Sequence, residues 1–434
     1  MSCIYIAETK IHNFVIMYKK LTSIVILALG LTAMTACEKL NIEDTDDSNT
    51  DNEYVPLVLT KAEIGIAAKA NEFGFNVFHS LYEEKPVLIS PLSLSLALSM
   101  TACGADGETE EQMTSALGFT GYSSEEVAGY YKKMVEALKG IDRESTFEIA
   151  NSIWVSKYLN VKEKFVSMVR DNFASEKRTV DFADPTVVNL VNKWCSDNTH
   201  GKITEIVQSI PPQTVMALVN ALYFSGKWGG FGFEDKTEKE NFRTIDGSKT
   251  IVEMMSAADT LSYASGDGWS MVNLPYGNGA FSMSVILPPA DMKFEDAAKG
   301  LDADRFSKLS AMASTHPVNL KMPKFKIEYS IDDLCSVLAT LGMADAFNPV
   351  KADFRRMADV SLGEIFISIV KHKTFIDVNT KGTEAAAVSY VGMKTIMPVP
   401  DTNDLISFIA DRPFFYIISE SSTGSVLFIG QKTN

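Results

Sequence analysis

Histidine and cysteine are scarce in this chain: five of each are spread over 434 residues. Neither His-Glu-x-x-His nor Cys-x-x-Cys occurs, so no zinc site is suggested. Gly-x-Ser-x-Gly is missing, which removes the nucleophile elbow of a serine hydrolase. The glycine-rich phosphate signatures are also absent, so nucleotide binding loses its cheapest support. Lys and Arg form no block and the net charge is −15, which argues against a nucleic-acid partner, since phosphates need neutralising. Of the histidines His12, His79, His200, His316 and His372, the last sits inside an apolar run and reads as a hydrogen-bonded structural residue. No catalytic set, metal site or cofactor emerges, and an enzyme is not expected.

The N-terminus reads as an address. Lys19-Lys20 precede the apolar stretch Leu21 to Met34, followed by Met34-Thr35-Ala36-Cys37. Basic, apolar and small-residue regions in that order make a secretory signal. The apolar part is too short for a membrane span, which needs about 20 residues. The small residues ending in Cys37 resemble the lipobox of bacterial lipoproteins, which implies cleavage before Cys37 and lipidation of its sulfur. The competing reading is a plain signal peptide with Cys37 incidental. Met17 would give a tidier signal start than Met1. Residues 37–59 carry Asp44, Asp46, Asp47 and Asp51 among polar residues and read as an acidic disordered tether. With Cys3 removed and Cys37 lipidated, Cys103, Cys195 and Cys335 remain, too widely separated for a disulfide framework and placed in apolar helical contexts that favour packing.

From residue 60 onward no linker or repeat is visible, so a single folded domain over 60–434 is expected. Apolar spacing near 3.6 predicts helices over 61–81, 92–101, 108–117, 125–138, 162–173, 185–199 and 331–341. Strands are expected over 147–155, 213–224, 250–255, 269–275, 281–287, 318–326, 366–378 and 414–429, the last with a hairpin turn at Gly424-Ser425. Helices come first and strands dominate later, without regular alternation, so the class is α+β.

The most informative stretch is Gly382-Thr383-Glu384-Ala385-Ala386-Ala387-Val388-Ser389, between an apolar strand and an irregular segment holding Pro398 and Pro400. A long irregular segment inside a compact domain is normally functional. If this one became a strand, Thr383, Ala385, Ala387 and Ser389 would share one face, and all are small enough to slide beneath a packed layer. Alanine also favours helix, but Gly382 before it and Val388, Val391 and Thr395 after it weaken that reading.

Several motifs here are similar to those of the serpins, in the family's order and spacing from about residue 60 to the end. They are Ile89-Ser90-Pro91-Leu92-Ser93, Asn220-Ala221-Leu222-Tyr223-Phe224 through Trp228, Pro323-Lys324-Phe325, Gly382 to Ala387, and Arg412-Pro413-Phe414. The resemblance implies three β-sheets with eight or nine helices and an exposed reactive-centre loop. It implies a monomeric protease inhibitor whose loop is cleaved by a target protease, forms a covalent acyl complex, and then inserts into the main sheet. A non-inhibitory, surface-binding protein of the same fold is the alternative. The hinge would comprise Gly382, Thr383, Glu384, Ala385, Ala386, Ala387 and Ser389. Ser90, Ser93, Asn220 and His372 match a polar cluster, the shutter, beneath the middle of the sheet. Trp228 and Lys324 match the breach at its top, although Thr380 stands where many inhibitory members carry a Glu to pair with that Lys.

Counting on from Gly382 as the family does places the scissile bond at Ile396-Met397, with Met393, Lys394 and Thr395 as alternative cleavage points. Counting back from Arg412-Pro413 places it nearer Val399. An apolar Ile396 suits an elastase-like serine protease, and papain-like cysteine proteases are a further candidate class. The implied location is the bacterial cell envelope, with the outer-membrane surface as one candidate face and the lipid on Cys37 as the membrane partner.

Overall fold

The computed structural model describes residues 52–331, 333–383 and 405–434. In chain order the elements are α1 (Lys61–Ser80), β1 (Val87–Ile89), α2 (Pro91–Ala102), α3 (Gly107–Ala116), α4 (Ser124–Leu138), β2 (Ser145–Ser156), α5 (Glu163–Phe173), β3 (Glu176–Val180) and α6 (Thr186–Asp197). Then come β4 (Met216–Lys227), β5 (Glu238–Arg243), β6 (Lys249–Gly266), β7 (Trp269–Tyr276), β8 (Phe281–Leu287), α7 (Phe294–Gly300), α8 (Ala303–Met312), β9 (Ser314–Pro323) and β10 (Phe325–Ser330). The chain ends with α9 (Leu334–Leu338), β11 (Ile369–Asn379), β12 (Gly382–Thr383), β13 (Ile406–Ile409), β14 (Phe414–Glu420) and β15 (Val426–Lys432).

Helix α2 lies at the centre. Ser90 caps it and Pro91 opens it, the preferred residues at those two positions. Every residue from Pro91 to Thr101 is buried, so this helix is core on all sides rather than amphipathic. Three of its hydroxyls are satisfied within the helix: Ser95 donates to the Leu92 carbonyl, Ser99 to Ser95 and Thr101 to Ala97.

Two hydrogen-bonded sheets flank this core among the described residues. One has six strands in the order β10-β11-β12-β4-β2-β3, and the other nine, in the order β1-β15-β14-β8-β7-β6-β9-β13 with β5 on β6. The long β6 pairs with β5 at its start, with β9 along its middle and with β7 at its end. That continuity joins ladders that the family pattern counts as separate sheets. The strand predicted over 250–255 is thus the beginning of an 18-residue strand, whose small Ser and Ala positions blur the alternation. β3 (EKRTV) and β5 (EKENFR) escape sequence reading because edge strands carry charge where central strands carry apolar side chains. α7 and α8 were likewise not expected, and the helix expected over 331–341 is a five-residue helix followed by a π-turn that ends at Met343.

Residues 52–59, expected as part of a tether over 37–59, lie docked on the folded body. Tyr54 donates its hydroxyl to Glu420 Oε1 at 2.6 Å, the Leu57 amide reaches Ser422 Oγ at 2.9 Å, and Lys133 Nζ reaches the Val58 carbonyl at 2.7 Å. Asn52 donates to Asp142 Oδ1 at 3.0 Å and accepts from the Arg143 amide at 2.9 Å. Asn52 and Tyr54 dock by their side chains, and Leu57 and Val58 by their backbone groups. Residues 37–51 lie outside the described residues.

Asp142 is a buried carboxylate that accepts from Asn52, from the Glu144 amide and from Ser145 Oγ, so it joins the docked segment to the start of β2. It also rests on Gly277, whose φ is +43° and where an added Cβ would come within 2.0 Å of Asp142 Oδ2. Gly277→Ala should therefore lower thermal stability by at least about 2 kcal/mol, from backbone strain and overpacking together. A melting temperature equal to the parent's, measured by circular dichroism, would show that the turn can move off Asp142.

Candidate functional site: a parted seam in the six-stranded sheet

β4 and β11 run parallel and pair directly over five rows, from Ile369↔Ala217 to Lys373↔Ala221. Above Lys373 the pairing ends. At the top, the two-residue β12 fills the gap and bonds to both neighbours, with Thr383 opposite Val378 of β11 and opposite Gly226 of β4. The first two hinge residues are thus already strand between parted neighbours.

Both fit the place closely. Gly382 has φ +148°, and a Cβ there would lie 2.0 Å from the Gly226 carbonyl oxygen, so only glycine is accommodated. Thr383 is buried and its hydroxyl lies 2.5 Å from the Tyr276 hydroxyl. Tyr276 stacks on Trp228, ring centroids 4.6 Å apart and planes 15° from parallel. Trp228 donates its indole N–H to the Asn379 carbonyl at 2.9 Å and its backbone N–H to Lys381 at 3.1 Å, so it anchors both ends of the turn into β12. Lys324 does not join this group, because its Nζ pairs with Glu253 of β6 at 3.2 Å. With Thr380 in place of an acid, the carboxylate on β6 takes the cation.

Beneath the closed rows, Ser90, Ser93, Asn220 and His372 converge. The Ser90 amide donates to His372 Nε2 at 3.1 Å, so that nitrogen is an acceptor and Nδ1 carries the proton. Nδ1 then donates to Asn220 Oδ1 at 2.9 Å. Asn220 Nδ2 in turn faces Ser93 Oγ and Asn151 Oδ1. Alongside, Thr374 donates its hydroxyl to the Leu88 carbonyl at 2.7 Å. The tautomer and the amide orientation follow from one another, and the chain of donors has a single direction. Burial pushes the His372 imidazole from its ordinary 6.5 down to about 3, which keeps it neutral.

Ser90 and Asn220 therefore meet the His372 imidazole, Ser93 joins them through Asn220, and Trp228 meets Thr383 through Tyr276. Asn151, Thr374 and Tyr276 were missed. Asn151 had a findable signal, since a polar residue inside the apolar strand 147–155 needs a partner. Tyr276 had none, because it reads as ordinary core. Glu384, Ala385, Ala386, Ala387, Ser389 and the bonds around Met393, Lys394, Thr395, Ile396 and Met397 lie outside the described residues, as does Cys37. Cys103 and Cys195 are pushed up to about 12 and Cys335 upward by burial, which fits packing rather than reactivity. Among the described residues no cluster of His, Cys, Asp or Glu could hold a metal, and no helix is long and apolar enough to cross a membrane.

The family model for Serpin (serine protease inhibitor) matches residues 68–434. Intracellular coagulation inhibitor 2 of Tachypleus tridentatus is 31% identical over 93% of this chain and 96% of its own, and Serpin-Z4 of Hordeum vulgare is 34% identical over 80% and 90%. The crystal structure of the thermophilic serpin Tengpin in the native state is similar with a TM-score of 0.79 and 32% identity, over 88% of this chain and 97% of that one. The chain belongs to the serpin family, whose members are mostly protease inhibitors rather than enzymes.

The buried imidazole gives a pH dependence of known sign. Below about pH 6.5 the unfolded chain binds a proton at His372 that the folded chain refuses until about pH 3. The unfolded state thus holds more protons across that window, and stability falls as pH drops, by about 1.4 kcal/mol per unit from this group. In urea titrations between pH 6 and 4, His372→Gln should show a correspondingly shallower loss than the parent. Equal slopes would mean that His372 is not held neutral.

Proposed function

We propose that this chain inhibits proteases as a suicide substrate, offering the segment after Thr383 as bait. A target serine or cysteine nucleophile attacks the Ile396 carbonyl, the Met397 amine departs, and the protease remains acylated on Ile396. The freed segment then extends β12 downward between β4 and β11. About 15 residues at roughly 3.3 Å each would carry the tethered protease about 50 Å, away from where it bound.

The carrying observation is the seam itself: β4 and β11 part above Lys373↔Ala221, and Gly382–Thr383 already pair with both banks. Full entry requires parting five more rows, so the uncut fold is held by a barrier rather than by lying lowest in free energy. Strand addition to a sheet supplies main-chain hydrogen bonds along its whole length. An elastase-like protease fits the apolar Ile396.

With elastase, a complex that survives boiling in detergent is expected, and mass spectrometry of the released fragment should place the cut at Ile396-Met397. Thr383→Arg puts a cation into a buried site beside Tyr276 and should convert inhibitor into substrate, cleaved at the parent rate with no stable complex. Clipped product alone from the parent at every protease ratio would instead favour a surface-binding serpin.

The N-terminal region adds a location. Cleavage before Cys37 and lipidation of its sulfur would hold the domain at the cell envelope on a short acidic tether. More than one acyl chain is needed for firm attachment. Cys37→Ala should move the protein from the membrane fraction to the soluble one, and continued sedimentation with membranes would refute the anchor.

A further inference from the structure

Two stretches of chain leave the folded body at the same end of the six-stranded sheet. The first is the bait: Thr383 pairs with Val378 and Gly226 at the top of the seam, and the chain after it returns at Ile406 on β13. β13 lies on β9, which runs into β10 beside the row Phe325↔Val378, again at this end. The second is the N-terminus. Asn52 binds Asp142 and accepts from the Arg143 amide, and Asp142 accepts from Ser145, whose register partner Gly226 pairs with Thr383. From Ser145, β2 runs away from this end to Ser156, a length of about 36 Å. Tyr158 stands just beyond it, 80% exposed.

Residues 37–51 separate Cys37 from Asn52 and span at most about 50 Å in any conformation. A compact body of the size that residues 52–434 give measures about 55 Å across, from a radius of gyration of about 21 Å. A lipid on Cys37 therefore holds the Asn52 end near the bilayer. Turning the body over, so that Tyr158 faced the lipid, would need about 55 Å from a chain that has about 50 Å. Val55 and Val58 of the docked segment are 72% and 82% exposed, so apolar side chains stand beside the anchored end, where lipid would cover them.

We infer that the anchored chain presents its bait toward the bilayer, so that it meets compact proteases at work on the membrane surface. The inference rests on the lipid-anchor and strand-insertion readings above. Insertion runs from Thr383 down between β4 and β11, toward the Tyr158 end, so the captured enzyme is carried from the lipid side to the open side. The space on the lipid side also sorts by size: a free protease enters a gap of about 50 Å, and one held on a bulkier carrier does not.

The test uses the lipidated full chain, purified from membranes and reconstituted in phosphatidylethanolamine–phosphatidylglycerol vesicles that carry an acceptor-labelled lipid. A donor dye is placed on Lys139→Cys, at the Asp142 end, or on Tyr158→Cys; both positions are exposed, and an unchanged melting temperature certifies each variant. Cys103, Cys195 and Cys335 are held protonated by burial and label slowly. With the sites about 36 Å apart, energy transfer from Lys139→Cys should exceed that from Tyr158→Cys at least about twofold. Equal or reversed transfer overturns the orientation and leaves anchor and inhibition standing. A parent that does not stay with the vesicles overturns the anchor, and the orientation with it. Elastase on a carrier wider than the gap should be trapped at least about fivefold more slowly by the vesicle-bound parent than by Cys37→Ala, and a flexible insert of about 20 residues after Asp51 should restore the rate. Equal rates with and without the anchor overturn the choice of partner. Trapping by neither form overturns strand insertion, while the transfer measurement still decides the orientation.

Discussion

A neutral imidazole, buried between two sheets and hydrogen-bonded at both nitrogens, is the constraint on which the closed half of the seam depends. His372 on β11 and Asn220 on β4 are register partners, so their side chains tie the same two strands that their backbones pair. Ser90 and Ser93, at the start of α2, tie that pair to the core helix. A single unmade link would leave a buried donor or acceptor unsatisfied, at about 1–3 kcal/mol. The network favours one arrangement of strands and helix over near alternatives, because its donors run in one direction only. Apolar packing alone would tolerate small slips between β4 and β11; this array does not.

At the top of the seam the logic is different. Thr383, Tyr276 and Trp228 form a stack that is apolar in bulk and polar only at its tips, with the indole N–H on Asn379 and the two hydroxyls on each other. Such a stack holds β12 in place with few directional bonds. Gly382 allows the backbone to come against Gly226, where a side chain would strike the carbonyl. The upper end therefore accepts a strand, while the lower end resists one.

How much of this is legible in the residues differs by kind. The helices 61–81 and 125–138 carry their caps in the sequence, Thr60 with Glu63 and Ser123 with Glu126, and the structure places them within a residue of their expected bounds. The polar cluster of Ser90, Ser93, Asn220 and His372 is readable only through the family resemblance, because local pattern says that such residues need partners but not that they meet one another. What cannot be read is anything that requires knowing which strands are adjacent. The gap between β4 and β11 follows from pairing residues about 150 positions apart, for which local pattern holds no signal. Tyr276 belongs to this class. Edge strands β3 and β5 fail for another reason: their charge protects an exposed edge and so erases the apolar alternation that would reveal them.

The docked segment 52–59 extends the same physics to the far side of the seam's mouth. Asn52 binds Asp142, Asp142 binds Ser145, and Ser145 is the register partner of Gly226, which itself pairs with Thr383. Four links thus connect the N-terminal segment to Thr383, where a strand would enter. Tyr54 on Glu420 fixes the other part of that segment to the β14–β15 hairpin, which belongs to the second sheet. The mouth is framed by one carboxylate, Asp142, whose acceptor capacity is shared between the segment and β2. Each partner that holds this carboxylate in place also steadies the top of β2 and β4, so the segment contributes to the geometry of the opening without touching the strand that would pass through it.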